Sequence, residues 1–188
     1  RQLIHRLPDL RTRHPYLHID IDTGGHALAR LGDGLDAAIV LAREIEPPLY
    51  GRRLGRNRII AIGNRTLLEK MGDSAQPADL AQATILLHRD MQENFTLWRQ
   101  AIGMPGLEPR AIDLFDSGQL MLESAAEGLG VAFMLDFHLE GATDPRLVKL
   151  FSDEAESESS YWFVCRKASL SRRPVRLFHD WLVGDAEQ

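Results

Sequence analysis

The chain has 188 residues, 44% of them apolar and 26% charged, a balance that supports an ordinary globular core and excludes a low-complexity or disordered chain. A formal net charge of −5 argues against direct binding to nucleic acid or to an anionic membrane surface. A single cysteine, Cys165, rules out an intrachain disulfide, and no apolar run reaches the roughly eighteen residues of a membrane span.

Leu3, Ile4, Leu7 and Leu10 repeat at helical spacing, and Pro8 among them predicts a kink or a helix confined to one side of it. A chain that starts directly on such a helix implies further sequence upstream of Arg1. His14 and Pro15 form a turn, after which residues 18–22, HIDID, alternate polar with apolar as a half-buried strand does. Thr23, Gly24 and Gly25 make its carboxyl-end loop. A short helix over 26–31, glycines at 32 and 34, and a strand over 36–41 complete an expected βαβ unit.

Pro47 and Pro48 make 46–51 a loop. Residues 52–62 read as extended and are divided at Arg56 and Asn57, the candidate hinge, and Thr66 with Glu69 has the form of a capping box. A proline-led turn or short helix follows at 76–80, a short strand at 84–88, and a helix over 95–102 that Gly103 closes.

The most informative stretch is 112–135, IDLFDSGQLMLESAAEGLGVAFML. A short apolar run leads into Asp116 and Gln119, a second capping-box pattern. A helix follows, glycines at 128 and 130 stop it, and a second apolar run closes the unit. One crossover helix of this length requires parallel strands with a right-handed connection, so the chain is of the α/β class. The 116–118 turn then lies at a strand's carboxyl end and a helix's start. Backbone N–H groups point outward there and open sheets receive their ligands, so a small-molecule site is expected at this turn. Beyond it come a strand over 147–151 and an acidic, serine-rich loop over 152–160, solvated and mobile. A strand over 161–165 holds Cys165 as a small buried hydrophobe, and a helix over 174–183 has proline in its first turn.

These pieces together resemble the effector-binding domain of LysR-type transcriptional regulators, in the branch of the glycine-cleavage activator and the β-lactamase regulator. The segments that carry the resemblance are LIHRLPDLRTRHPYLHIDIDT at 3–23, GLDAAIV at 34–40, FDSGQLMLESAAEGLGVAF at 115–133, and SYWFVC at 160–165 through FHDWL at 178–182. The resemblance implies a two-lobed fold like that of type-2 periplasmic binding proteins, with mixed sheets, two crossing hinge segments and an effector cleft between the lobes. Lobe I is expected at 1–57 with 164–188, and lobe II at 58–163. It further implies a homodimer or higher homo-oligomer, a cytoplasmic location, and contact with promoter DNA only through an N-terminal winged helix-turn-helix outside this chain. The chain departs from the family pattern in three places. The first strand of lobe I is missing before Arg1, a proline often found after the strand at 131–134 is absent, and Gly63 and Asn64 stand where a serine-proline pair is common.

Six residues are candidates for effector contact because each falls at a strand end or a crossing segment: Thr23, Asn64, Asp116, Ser117, Gly118 and Tyr161. Each also has a local explanation. Asp116, Ser117 and Asn64 are good helix caps, Gly118 is a turn glycine, and Tyr161 is an aromatic that packs. His14 and His18 have suggestive spacing, but Pro15 between them and the strand expected at 18 keep them off one helical face, so no metal site is expected. Asp20 and Asp22 read as the solvated side of a strand. The chain contains no glycine-rich phosphate loop, nucleophile elbow or metalloprotease signature, and neither catalysis nor a cofactor is expected. The alternative function is a solute-binding protein of a transport system.

Overall fold

A computed structural model describes residues 2–22, 26–71 and 75–184. In chain order its first elements are α1 (Gln2–Arg13), β1 (Ala37–Ala42), β2 (Leu49–Arg53), β3 (Arg58–Asn64), α2 (Arg65–Met71), β4 (Thr84–His88) and α3 (Glu93–Ala101). There follow β5 (Ala111–Phe115), α4 (Gly118–Ala126), β6 (Val131–Leu135), α5 (Asp136–Glu140), β7 (Leu147–Lys149), β8 (Ala155–Glu156), β9 (Ser160–Arg166) and α6 (Arg173–Gly184). The chain divides into two compact units, residues 1–56 with 158–188 and residues 57–157.

The first unit is built on a three-stranded antiparallel sheet with β9 between β1 and β2. The strands alternate as a pleat requires. Phe163 and Cys165 of β9 face α1 and α6, where they pack with Leu10, Val175, Trp181 and Leu182, while Val164 turns to the other side with Ala38 and Leu31. The two helices are tied by a polar contact at the edge of this core. Trp181 Nε1 donates to Asp9 Oδ2 at 2.9 Å, and the Arg6 guanidinium lies 4.8 Å above the Trp181 ring. The indole bond, helped by Arg13, holds the Asp9 carboxyl below its ordinary range. Contrary to the expected interruption, α1 runs through Pro8, whose ring lies on the exposed side.

The strand expected at 18–22 is not formed. A strand exists through its ladder, and among the described residues none pairs with this segment. Leu17 and Ile19 still rest on the core, so the alternation in the sequence reports an extended chain with one side buried. The βαβ unit expected over 18–41 is therefore reduced to a single 3-10 turn, Ala27–Arg30, and β1.

The second unit is a mixed sheet in the order β5-β4-β6-β3-β7, with β8 beside β3. β4 runs parallel to both β5 and β6, and β3 is antiparallel to β6, β7 and β8. The βαβ unit at 112–135 forms as expected, and its crossover helix passes over β4 to reach β6. Both faces of the sheet are covered. Ile60, Ile62, Leu86, Ala132 and Met134 pack under α4. On the other face the rings of Phe95 and Trp98 from α3 each lie 5.0 Å from Phe133. Coverage on both sides is why the central strands read as unbroken apolar runs, IIAI, ILL and VAFML, rather than alternating.

Two further expectations are corrected here. Residues 152–160 are no free acidic loop, since β8 pairs with β3 and Ala155, Ser157 and Ser160 are buried. The second crossing also comes earlier than expected. β9 is laddered to β1 and β2 from Ser160 onward, so the units divide at 157–158 rather than at 163–164.

Candidate functional site

At one edge of the second unit, three parallel strands end together. β4 ends in His88, β5 runs into Asp116 and Ser117, and β6 is followed by Asp136 and His138. Both crossings leave the unit at this edge, because the Arg58 backbone N–H donates to Asp136 Oδ1 at 3.3 Å and Ser157 N–H donates to the Asn57 carbonyl at 3.1 Å.

The cap of α4 is Ser117. Its backbone is extended and its Oγ accepts from Leu120 N–H at 3.4 Å, while its carbonyl takes Met121 N–H at 3.0 Å. The capping box expected of Asp116 and Gln119 does not form, because the helix starts one residue later and Gln119 turns outward to Glu123. This leaves Gly118 and Gln119 N–H, at the positive end of the helix, without an acceptor among the described residues. Gly118 suits the position: a Cβ there would come within 3.3 Å of the Met134 methyl and 3.9 Å of His138 Nε2.

Two histidines frame the turn. His88 Nδ1 accepts from Asp90 N–H at 3.2 Å, which fixes its proton on Nε2, and Nε2–H donates to the Asp116 carbonyl at 3.1 Å. His138 is the complementary tautomer. Nδ1–H donates to the Leu135 carbonyl at 3.1 Å, and Nε2, on the side of Gly118, is left as an acceptor. Burial is the main reason that its pKa drops from 6.5 to about 4, so the ring is neutral near pH 7.

The other candidates fall elsewhere. Asn64 ends β3, which is antiparallel to β6, and so lies at the opposite edge of the sheet. Its amide is spent on structure, accepting from Thr66 N–H at 2.7 Å and donating to the Ala126 carbonyl at the far end of α4. Asn64, and not a capping box of Thr66 and Glu69, is thus the cap of α2. Its expected place beside Asp116 is corrected by strand direction. Tyr161 stands on β9 of the first unit opposite Leu41, partly buried, with its phenol pushed up and kept protonated by that burial. Thr23 lies outside the described residues. Cys165 is fully buried, and burial raises its thiol. Among the described residues no three His, Cys, Asp or Glu side chains converge to hold a metal ion, and no helix is long and apolar enough to cross a membrane.

A mixed α/β sheet that gathers a capped helix start, two oriented imidazoles and both crossings at one edge has the build of a two-lobed ligand-binding domain. The family model for the LysR substrate binding domain matches residues 1–187, and the chain belongs to that family. It is 23% identical over 185 residues to the glycine cleavage system transcriptional activator of Escherichia coli strain K12, covering 98% of this chain and 60% of the relative. It is 28% identical over 189 residues to the HTH-type transcriptional activator AmpR of Pseudomonas aeruginosa, covering 96% and 60%. Its structure is similar to that of the effector domain of Pseudomonas aeruginosa AmpR, with a TM-score of 0.83 and 26% identity over 98% of this chain and 88% of that one. The chain spans about 60% of the length of the curated relatives it matches.

Proposed function

We propose that this chain is the effector-sensing part of a LysR-type transcriptional regulator. It binds a small molecule at the 116–118 edge and thereby controls promoter binding by a winged helix-turn-helix carried elsewhere in the protein. The observation that carries this is the family match along 1–187 together with a helix start whose first N–H groups have no acceptor among the described residues. Asp116, Ser117 and Gly118 are the contacts proposed from the second unit and Tyr161 from the first. Both relatives named above are transcriptional activators, which speaks for regulation and against the transport alternative. The protein acts in the cytoplasm, where its promoter is. The effector shifts the regulator only by its difference in affinity for two arrangements of the domain.

The protein works as a homodimer in this proposal. The support is a pair of apolar side chains that the chain leaves open: Ile112 and Leu114 on the edge strand β5 are 49% and 42% exposed. An edge strand with apolar side chains facing water calls for a covering surface.

A thermal-shift screen of amino acids, cell-wall peptides and aromatic acids tests the binding function. A ligand at about one hundred times its dissociation constant adds roughly 2.7 kcal/mol. Asp116→Ala and Tyr161→Phe are expected to weaken any hit, and full affinity in both would place the site elsewhere.

A further inference from the structure

The second unit also holds a cavity of about 380 Å³ between α3 and the strands β4 and β5, a volume that suits a small metabolite. Leu87 and Phe95, each 3% exposed, give it an apolar lining together with Ile112 and Pro109. The charged side chains that line it are Glu93, Arg99 and Glu108, two carboxylates to one guanidinium. Arg99 is only 19% exposed, and its guanidinium lies 5.4 Å above the Phe95 ring. Nη1 donates to the Leu107 carbonyl at 2.7 Å and to Glu108 Oε1 at 2.9 Å. The N–H groups on Nε and Nη2 have no acceptor among the described residues, and Nε is buried. A mostly buried cation with unmatched donors is costly, and an occupant that brings an acceptor relieves that cost. Glu108 is 77% exposed, and its Oε2 has no donor among the described residues. Glu93 has a contact of its own.

A ligand with a carboxylate alone would answer Arg99 but face the excess of like charge, and one with an amine alone would leave Nη2 unmatched. An α-amino acid carries both charges on one carbon, next to each other as Nη1 and Oε1 are here. We propose that this cavity is a second small-molecule site, separate from the 116–118 turn, and that its occupant is an α-amino acid with an aliphatic side chain. The α-carboxylate accepts from Arg99 Nη2, the α-ammonium donates to Glu108 Oε2, and the side chain rests on Leu87, Phe95 and Ile112. Ile112 also belongs to the face proposed for the dimer, so the occupant stands beside that contact.

Leucine, isocaproate and isoamylamine, which share a branched chain and differ in their charged groups, are the probes. Each is titrated near pH 7 into the 15N-labelled chain, with Arg99 Nε–H and the amides of Thr96 and Ile112 as readouts. Leu114→Lys, which leaves the cavity lining intact, is titrated in parallel so that a dimer contact over Ile112 cannot hide the cavity. Leucine is expected to shift all three resonances with at least about tenfold higher affinity than either analogue. Glu108→Gln, at an exposed position, is expected to bring leucine down to the level of isocaproate. Arg99→Gln is expected to bring it down to that of isoamylamine, and Glu108→Gln carries the test if that variant does not fold. An analogue that binds as tightly as leucine overturns recognition of the paired charges. Shifts at Gly118 and Gln119 with Thr96 and Ile112 unmoved would assign leucine to the 116–118 turn and overturn this site while leaving the proposed function in place. Unmoved resonances at Arg99, Thr96 and Ile112 in both proteins overturn the site outright.

Discussion

His138 links the stability of the fold to pH. Its ring is neutral in the folded chain down to about pH 4, whereas the ordinary value in an unfolded chain is 6.5. Between these values the unfolded chain holds a proton that the folded chain does not, so stability falls as pH drops from 6.5 toward 4. The loss is about 1.4 kcal/mol per unit, on the order of 3 kcal/mol across the window. Asp9 and Asp144 are lowered from 3.8, the first chiefly by its bond to Trp181 and the second by Arg146, so their contributions are lost only below this window. Urea unfolding of the wild type and His138→Gln, compared from pH 7 to pH 4, is expected to show the wild type losing up to about 3 kcal/mol more than the variant. Parallel curves would mean that the ring is not held neutral. Neither His138 nor His88 was singled out by the sequence reading, although both follow apolar runs at the ends of parallel strands, as Asp116 does. Applying the strand-end rule to all three strands finds them, whereas the seven histidines draw attention first as metal ligands.

Elements with a self-contained signal were legible and those defined by partners were not. The helix of 118–126 carries its own periodicity and its glycine stop, and the closing helix its early proline, and both form as read. Residues 18–22 have the alternation of a strand but no neighbour to ladder with among the described residues, and 155–156 have neither length nor apolarity, yet β3 offers them a partner. The misplacement of Asn64 has the same origin, since strand direction is a property of the sheet and does not show in IIAIGN. β5 is the informative contrast: its run IDLF looks like the buried strands, but it stands at the edge with Ile112 and Leu114 exposed. A partner face is the physical reason to keep such residues in water. Leu114→Lys puts a charge into that patch without touching the core. Sedimentation is expected to show the wild type as a dimer and Leu114→Lys as a monomer, with far-UV circular dichroism and binding at the 116–118 turn unchanged. A monomeric wild type, or a variant that dimerises equally well, would remove β5 from the interface.

Under the proposed function, in which an effector shifts the domain between two arrangements, the moving parts have to remain folded, and the distribution of apolar side chains fits that. Each unit carries its own core: Leu10, Phe163 and Trp181 with their neighbours in one, and Ile60, Met121 and Met134 under α4, with Phe95, Trp98 and Phe133 under α3, in the other. Phe133 is the keystone of the second unit, fully buried between two aromatic rings, and its carbonyl accepts from the buried Asn94 amide. Phe133→Ala keeps that backbone bond but empties the space between Phe95 and Trp98, a change that costs about 3–5 kcal/mol in a core that cannot collapse. Because the cavity belongs to residues 57–157, native-state hydrogen exchange is expected to show protection falling by that amount in β3, β4 and β6. β1, β9 and α6 are expected to keep their protection, as separate cooperative units would. Equal loss in all six elements would show that the two cores unfold as one, and the effector would then have to act through a deformation shared by the whole chain rather than through the displacement of two bodies.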